Sequence, residues 1–149
     1  PAGKAVVLSV GGCTMPEAHA AAAAFPGRRL VINHCVAEYP CPDAALRLGN
    51  IPALMREFPE AEIGYSGHEV GYAGSLAAAA MGVRMVERHF CLSRDSFAHH
   101  IGCSLEPAEF REMVRLAGSG GTLPLPAEAF REDFGPTASE AAFFRSRGI

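Results

Sequence analysis

The chain has 149 residues, of which 49% are hydrophobic and 19% are charged, and its formal net charge is −3. This composition is typical of one globular domain with a buried core, and it excludes a largely disordered chain. No stripe of Lys and Arg runs through the sequence, so we expect no nucleic-acid partner. No apolar run reaches the roughly 18 residues that span a bilayer and no signal peptide is recognisable, so we expect no membrane association.

The five cysteines indicate the redox compartment. Their number is odd, and none stands in a Cys-x-x-Cys pair. A disulfide framework is therefore not expected in a chain of this length. The simpler interpretation is a cytoplasmic protein whose thiols stay reduced.

Four short apolar runs, rich in β-branched residues, predict β-strands at residues 5–10, 30–35, 62–66 and 85–90. A helical segment follows each run. Thr14 and Glu17 form a capping box ahead of the first helix, which the pair Pro26-Gly27 ends. The later helices are predicted within residues 43–58, at 73–81 and at 108–116.

These elements repeat a strand and a helix four times. The strand starts lie 23 to 32 residues apart, which is the spacing of βα units that build a parallel sheet. The predicted fold class is therefore α/β with parallel (β/α) units. The pattern breaks at Gly118. After it we expect a linker at residues 119–127 and a weakly structured end with some helical character near 138–145.

Polar side chains stand where the predicted strands end. The carboxyl ends of parallel strands meet at one edge of a sheet, and ligands of α/β proteins bind there. The residues at these ends are Ser9, His34 with Tyr39 just beyond it, Ser66 with His68, and His89. We expect them to lie around one site.

His68 and His89 occupy equivalent positions in two successive βα units, so adjacent strand ends can place them side by side. From the spacing alone, two interpretations stay open. Each histidine is a structural residue with a satisfied ring, or the two rings share a divalent transition metal whose shell water or substrate completes. The pair His99-His100, in the loop after the last strand, is a third candidate, although polar loop residues are often only solvated.

Several motifs, found in the same order, resemble those of the sialic acid synthase family, the N-acetylneuraminate synthases and their relatives. The segment GYSGHEVGYAGSLAAAAMGVRMVERHFCL is similar to the family's Gly-Tyr-Ser-Asp-His stretch, Ala-rich helix and Glu-Lys/Arg-His-Phe motif, and CSLEP follows it. Upstream, GKAVVLSVGG and HCVAEYPCP resemble two further strand motifs, and GSGGTLPLPAEA resembles the family's linker. The resemblance covers about residues 3–128.

This resemblance implies a TIM barrel that condenses phosphoenolpyruvate with an N-acylated hexosamine, such as N-acetylmannosamine, to a nine-carbon sugar acid and releases phosphate. By match to the motifs, His68 and His89 are the catalytic pair that holds a divalent ion, commonly Mn²⁺, with Mg²⁺ or Co²⁺ as alternatives. Ser9 and Ser66 match phosphate-binding serines, and Tyr39 matches a tyrosine of the substrate pocket.

Three positions depart from the family's pattern. His100 aligns with a loop Asp that precedes the Ser-Leu-Glu-Pro motif, so we place it among the catalytic residues with altered chemistry. Gly67 replaces the Asp of Ser-Asp-His, and Ala37 stands where some members carry Asn. These changes leave the identity of the acceptor sugar open.

A TIM barrel has eight βα units, and four are recognisable here. The resemblance therefore predicts that residues 1–118 form the C-terminal half of the barrel, and that 119–149 are a linker and tail toward an absent antifreeze-like domain. We expect such a half to be inactive by itself and to form a homodimer or associate with the missing barrel half, because its sheet edges are open. The alternative function is a catalytically silent half-barrel that binds metal or phosphate and self-associates.

Overall fold

The computed structural model describes residues 3–148. Its four strands form one parallel sheet in the order β1-β2-β3-β4. The strands are β1 (Val6–Ser9), β2 (Leu30–Cys35), β3 (Glu62–Gly67) and β4 (Met85–Arg88). The sheet confirms the predicted α/β fold of parallel (β/α) units, four of the eight that a TIM barrel contains.

A helix follows each strand. The four are α1 (Met15–Ala23), α2 (Asn50–Glu57), α3 (Ala73–Ala80) and α4 (Pro107–Gly118). The capping box predicted for the first helix is present, because the carboxylate of Glu17 accepts a hydrogen bond from the backbone N–H of Thr14 at 2.8 Å. Pro107 opens α4 at a position where the missing N–H costs nothing.

The two faces of the sheet have different surroundings. On one face, alternate residues such as Ile32, Ile63 and Tyr65 pack into the main core with Ile51 and Leu54 of α2. We call this the helix-covered face. The other face, which we call the open face, carries the residues between them, and its Val7 is 48% exposed. Within residues 3–148, β1 and β4 pair with one neighbouring strand each and are the edges of the sheet.

The structure corrects the expectation of a weakly structured tail. Residues after 126 form a short 3₁₀ helix (Ala127–Phe130) and α5 (Ala138–Ser146), which confirms the helical character predicted near 138–145. The side chain of Asn50 bonds both the N–H and the C=O of Asp133, at 2.7 and 2.9 Å. A Cβ at Gly49 would meet backbone atoms of residues 130–132 within 2.7 Å, so the tail lies directly against the start of α2. Two further contacts, from Gly135 to Cys13 and from Glu140 to Ala37, place the tail across the carboxyl ends of β1 and β2.

Candidate active site

His68 and His89 lie side by side, as their spacing predicts. Each follows the last residue of its strand, and β3 and β4 are hydrogen-bonded neighbours. Their ring centroids are 5.4 Å apart, in an edge-on arrangement. Two imidazoles at this separation are close enough to act on one ligand.

The orientation of the His68 ring is set by a backbone carbonyl. The Nδ1 atom of His68 lies 2.6 Å from the carbonyl oxygen of Val36. Because a carbonyl can only accept, Nδ1 carries the proton and Nε2 keeps its lone pair. A metal-binding histidine is commonly oriented by such a bond through its other nitrogen.

Both histidines favour the neutral form. Burial lowers the pKa of His68, which is 6% exposed, although the bond to Val36 and the charge of Glu69 oppose that shift. Burial also lowers the pKa of His89, and the neighbouring His68 and His100 add to the effect. A neutral imidazole is the form that binds a metal ion, so the donor chemistry of the pair fits such an ion.

Tyr39 and His100 complete an aromatic cluster around the pair. The Tyr39 ring centroid lies 4.2 Å from that of His68 and 4.0 Å from that of His100. The rings of His89 and His100 are 5.3 Å apart. The resemblance placed His100 in the site on one aligned position, and the structure brings it there with a left-handed backbone, φ 58°. His99 lies at the edge of the cluster, 6.0 Å from His100.

A cavity of about 630 Å³ opens beside this cluster. It is lined by residues 37–39, by His99 and His100, and by Ser139, Phe143 and Arg147 in and directly after α5. Its volume is within the range of sites that bind small molecules. The tail helix is therefore part of the boundary of the candidate site.

The two serines lie on the open face but differ in their surroundings. The register pairs Ser9 with Asn33 and Ser66 with Cys35, so both serines are on the same side of the sheet. Ser66 is buried, and its hydroxyl donates to a carboxylate oxygen of Glu87 at 2.9 Å. Ser9 is exposed. Their predicted roles in phosphate binding stay predictions.

The expectation that His34 lies around the same site is wrong. Its side chain lies on the helix-covered face with Tyr65, where it is buried and bonded to the carbonyl oxygen of Leu46.

A buried ion pair that the sequence did not indicate is formed by the chain neighbours of the two histidines. The side chains of Glu69 and Arg88 are both 0% exposed and 2.7 Å apart. The carboxylate of Glu69 also accepts from the Tyr65 hydroxyl and from the N–H and hydroxyl of Ser75. Each ionic residue adjoins one of the histidines in sequence, so the pair links the ends of β3 and β4. Arg88 belongs to the Glu-Lys/Arg-His-Phe motif and Glu69 directly follows the segment that matches Gly-Tyr-Ser-Asp-His, but neither motif indicates that the two side chains pair.

Two histidines supply two ligands. Among residues 3–148, no group of three or more His, Cys, Asp or Glu side chains is arranged to hold a metal ion. An ion at His68 and His89 would thus take its remaining ligands from water, substrate or groups outside this range.

Comparison with known proteins assigns the family. The family model described as "NeuB family" matches residues 1–119. This chain belongs to the NeuB family. It is 44% identical over 83 residues to N-acetylneuraminate-9-phosphate synthase of Drosophila melanogaster, covering 56% of this chain and 22% of the fly protein. It is 34% identical over 113 residues to the spore coat polysaccharide biosynthesis protein SpsE of Bacillus subtilis, covering 73% of this chain and 30% of the other.

The solved structures agree. The crystal structure of SpsE from Bacillus subtilis superposes with a TM-score of 0.80 at 29% identity, covering 93% of this chain and 42% of that one. The N-acetylneuraminic acid synthetase of Leptospira borgpetersenii, solved in complex with citrate, gives a TM-score of 0.74 at 26% identity, covering 96% and 49%. The chain therefore spans less than half the length of these relatives. Within residues 3–148, no helix has the length and apolar character that a membrane span requires.

Proposed function

We propose that this chain supplies the C-terminal half of the active site of a synthase that condenses phosphoenolpyruvate with an N-acylated hexosamine, such as N-acetylmannosamine. The product is a nine-carbon sugar acid, and phosphate is released. The observation that carries the proposal is the cluster of Tyr39, His68, His89 and His100 at the carboxyl ends of β3 and β4. Membership of the NeuB family supports it, since relatives include N-acetylneuraminate-9-phosphate and N,N'-diacetyllegionaminic acid synthases.

His68 and His89 are the proposed ligands of a divalent cation, Mn²⁺ in the first place and Mg²⁺ or Co²⁺ as alternatives. When bound, such an ion acts as a Lewis acid on the aldehyde of the acceptor sugar. His68 offers its Nε2 lone pair because Nδ1 is held by the carbonyl of Val36. The rings of Tyr39 and His100 flank the pair and would orient the sugar against it.

Ser9 and Ser66 are the proposed phosphate-binding hydroxyls. Their shared face of the sheet supports this assignment. Ser66 donates to Glu87 in the structure, so its proton would have to turn from that carboxylate to a phosphate oxygen. We propose a reducing compartment, the cytoplasm, because all five cysteines have free thiols.

A titration with Mn²⁺ tests the metal site directly. The natural gene product and its His68→Ala and His89→Ala variants are compared by calorimetry, with His19→Ala as control because His19 lies on the exposed side of α1, next to Glu57. We expect each site variant to lose at least about 100-fold in Mn²⁺ affinity, more than a change in the surrounding shell would cost. Phosphate release from phosphoenolpyruvate and N-acetylmannosamine should vanish with it. Full affinity and turnover in both site variants would refute the proposal.

A second candidate function is binding without catalysis, by a half-barrel that self-associates. The observation that favours it is the pair of sheet edges, β1 and β4, together with the exposed Val7 of the open face. Exposed edges of this kind are templates for strand pairing. Light scattering on the isolated 149-residue chain should show a dimer or larger species. A folded, monodisperse monomer with a cooperative melt would contradict the association, both with a second copy and with another barrel half.

A further inference from the structure

The tail helix α5 contributes one buried acidic side chain, Glu140. It is 1% exposed, although it lies in a segment at the surface of the fold. One carboxylate oxygen accepts the backbone N–H of Thr137 at 2.8 Å and completes the capping box of α5. The other accepts the backbone N–H of Ala37 at 2.6 Å, from a residue 103 positions earlier in the chain. The capping role explains the first bond, and the second bond reaches the candidate active site.

The N–H of Ala37 belongs to the same peptide group as the C=O of Val36. That C=O accepts from Nδ1 of His68 at 2.6 Å. In a trans peptide the N–H and the C=O point in opposite directions. A single peptide plane therefore lies between the Glu140 carboxylate on one side and the His68 ring on the other.

We propose that Glu140 is a positioning residue, which fixes the tautomer and the ring plane of His68 through the peptide group between Val36 and Ala37. A negative acceptor at the N–H polarises the peptide, and hydrogen bonds in such a chain strengthen one another. The carbonyl then holds the Nδ1 proton more firmly and leaves the lone pair of Nε2 free to bind a metal ion. The arrangement corresponds to a carboxylate that supports a ligand histidine, with one peptide group inserted between them. Its effect on metal affinity rests on the proposed function, while the effect on the ring does not.

Other contacts hold α5 in place without Glu140. The hydroxyl of Thr137 donates to the carboxylate of Glu38, which precedes Tyr39. Phe144 covers Gly12, where a Cβ would lie 2.7 Å from its ring and where φ is +71°. A variant of Glu140 that keeps the size of the side chain should therefore leave the helix docked while it removes the charge.

The substitution Glu140→Gln in the natural gene product tests the proposal. Its control is Glu132→Gln, which removes an acidic charge from the same tail at an exposed pair with Arg56. The first readout is nitrogen NMR of the histidine rings, which reports the tautomer of His68. The second is a Mn²⁺ titration. We expect Glu140→Gln to convert the single His68 tautomer into a mixture and to weaken Mn²⁺ binding about tenfold, with the control unchanged in both.

The outcomes separate this proposal from the proposed function. An unchanged tautomer and unchanged Mn²⁺ affinity in Glu140→Gln would overturn the positioning role, even where His68→Ala abolishes binding and so upholds the metal site. If the natural gene product binds no Mn²⁺, the metal site fails, and the tautomer still decides the positioning role.

The same link can be measured from its other end, should Glu140→Gln not fold. In His68→Ala the carbonyl of Val36 loses the hydrogen bond from the His68 ring. The N–H of Ala37, which shares that peptide group, then becomes less polarised. Its chemical shift should move upfield by more than that of Thr137, the other amide bonded to Glu140. Equal or absent shifts of the two amides would overturn the proposal.

Discussion

Asn33 and His34 are neighbours in β2, and both are buried polar residues, at 0% and 3% exposure. Because side chains alternate along a strand, they point to opposite faces of the sheet. His34 lies on the helix-covered face, where its Nε2 donates to the carbonyl of Leu46 at 2.8 Å. Asn33 lies on the open face, and neither polar atom of its amide has a hydrogen-bond partner within residues 3–148.

The difference shows that this chain completes one face of its sheet and not the other. On the helix-covered face the rings of His34 and Tyr65 have hydrogen-bond partners. Within residues 3–148, the one buried side-chain nitrogen or oxygen without a partner on that face is Nε of Arg88, whose other two nitrogens are bonded. On the open face an orphaned amide costs roughly 1–3 kcal/mol, and Val7 remains half exposed. An open face of this kind is what a half-barrel leaves for further βα units to cover. The relatives, of which this chain spans less than half, are long enough to contain such units.

Among the changes that distinguish the two faces, we expect a fall in pH to have the largest effect on the free energy of unfolding. Burial, together with the charge of Arg47, lowers the pKa of His34 to about 4, although the hydrogen bond to Leu46 and the charge of Glu140 oppose this shift. In the unfolded chain His34 has its ordinary pKa near 6.5, so as the pH falls His34 is protonated in the unfolded chain before it is protonated in the folded one. The stabilisation that neutral His34 contributes is therefore fully present above pH 6.5 and is lost as the pH falls toward 4. Between pH 7.5 and 5.5 the loss should be about 1.4 kcal/mol.

Urea unfolding at the two pH values measures this loss, and His34→Gln isolates it. Glutamine does not titrate and can still donate to the carbonyl of Leu46. The free energy of unfolding of His34→Gln should therefore fall by less between the two pH values, and the difference should equal the loss expected above. His19→Gln, on the exposed side of α1, should keep the slope of the unmodified chain. If the free energy of unfolding fell equally with pH in all three proteins, the buried neutral His34 would not be the source of the pH dependence.

The sheet and the strand-end residues could be predicted because their signals are local. Each strand is a short apolar run, and the alternation with helices fixes a parallel sheet, so β2 was predicted with its observed bounds (Leu30–Cys35). The adjacency of His68 and His89 follows from two equivalent positions in successive units, and the rings are indeed neighbours. From its loop position His100 was only a third candidate, and the family resemblance placed it in the site, because nothing in a loop sequence specifies its return to the cluster.

The missed residues depend on contacts between distant parts of the chain. Glu140 bonds a residue 103 positions away, and Arg88 bonds Glu69 across two strands. In the sequence Glu69 and Glu140 are single charges and Arg88 stands beside Glu87, and charged side chains of this kind are usually solvated. The tail was expected to be weakly structured because it has no strong periodicity, yet contacts with α2 and with the segment around Ala37 order it. Tertiary contacts, rather than local propensity, decide such segments.

The smallest expected effect has the opposite sign and lies on the open face. Asn33→Leu keeps the approximate size of the side chain and removes the two polar atoms that have no partner within residues 3–148. We expect the isolated chain to gain about 1 kcal/mol in its free energy of unfolding, since no hydrogen bond offsets the desolvation of the buried amide.

The matched control is Asn50→Leu, where the amide bonds Asp133 at 2.7 and 2.9 Å and the same change should destabilise. Urea unfolding of the three chains compares them. A loss of stability in Asn33→Leu as large as in Asn50→Leu would mean that the open face satisfies its amide after all, and the contrast between the two faces would fail at the residue on which it rests.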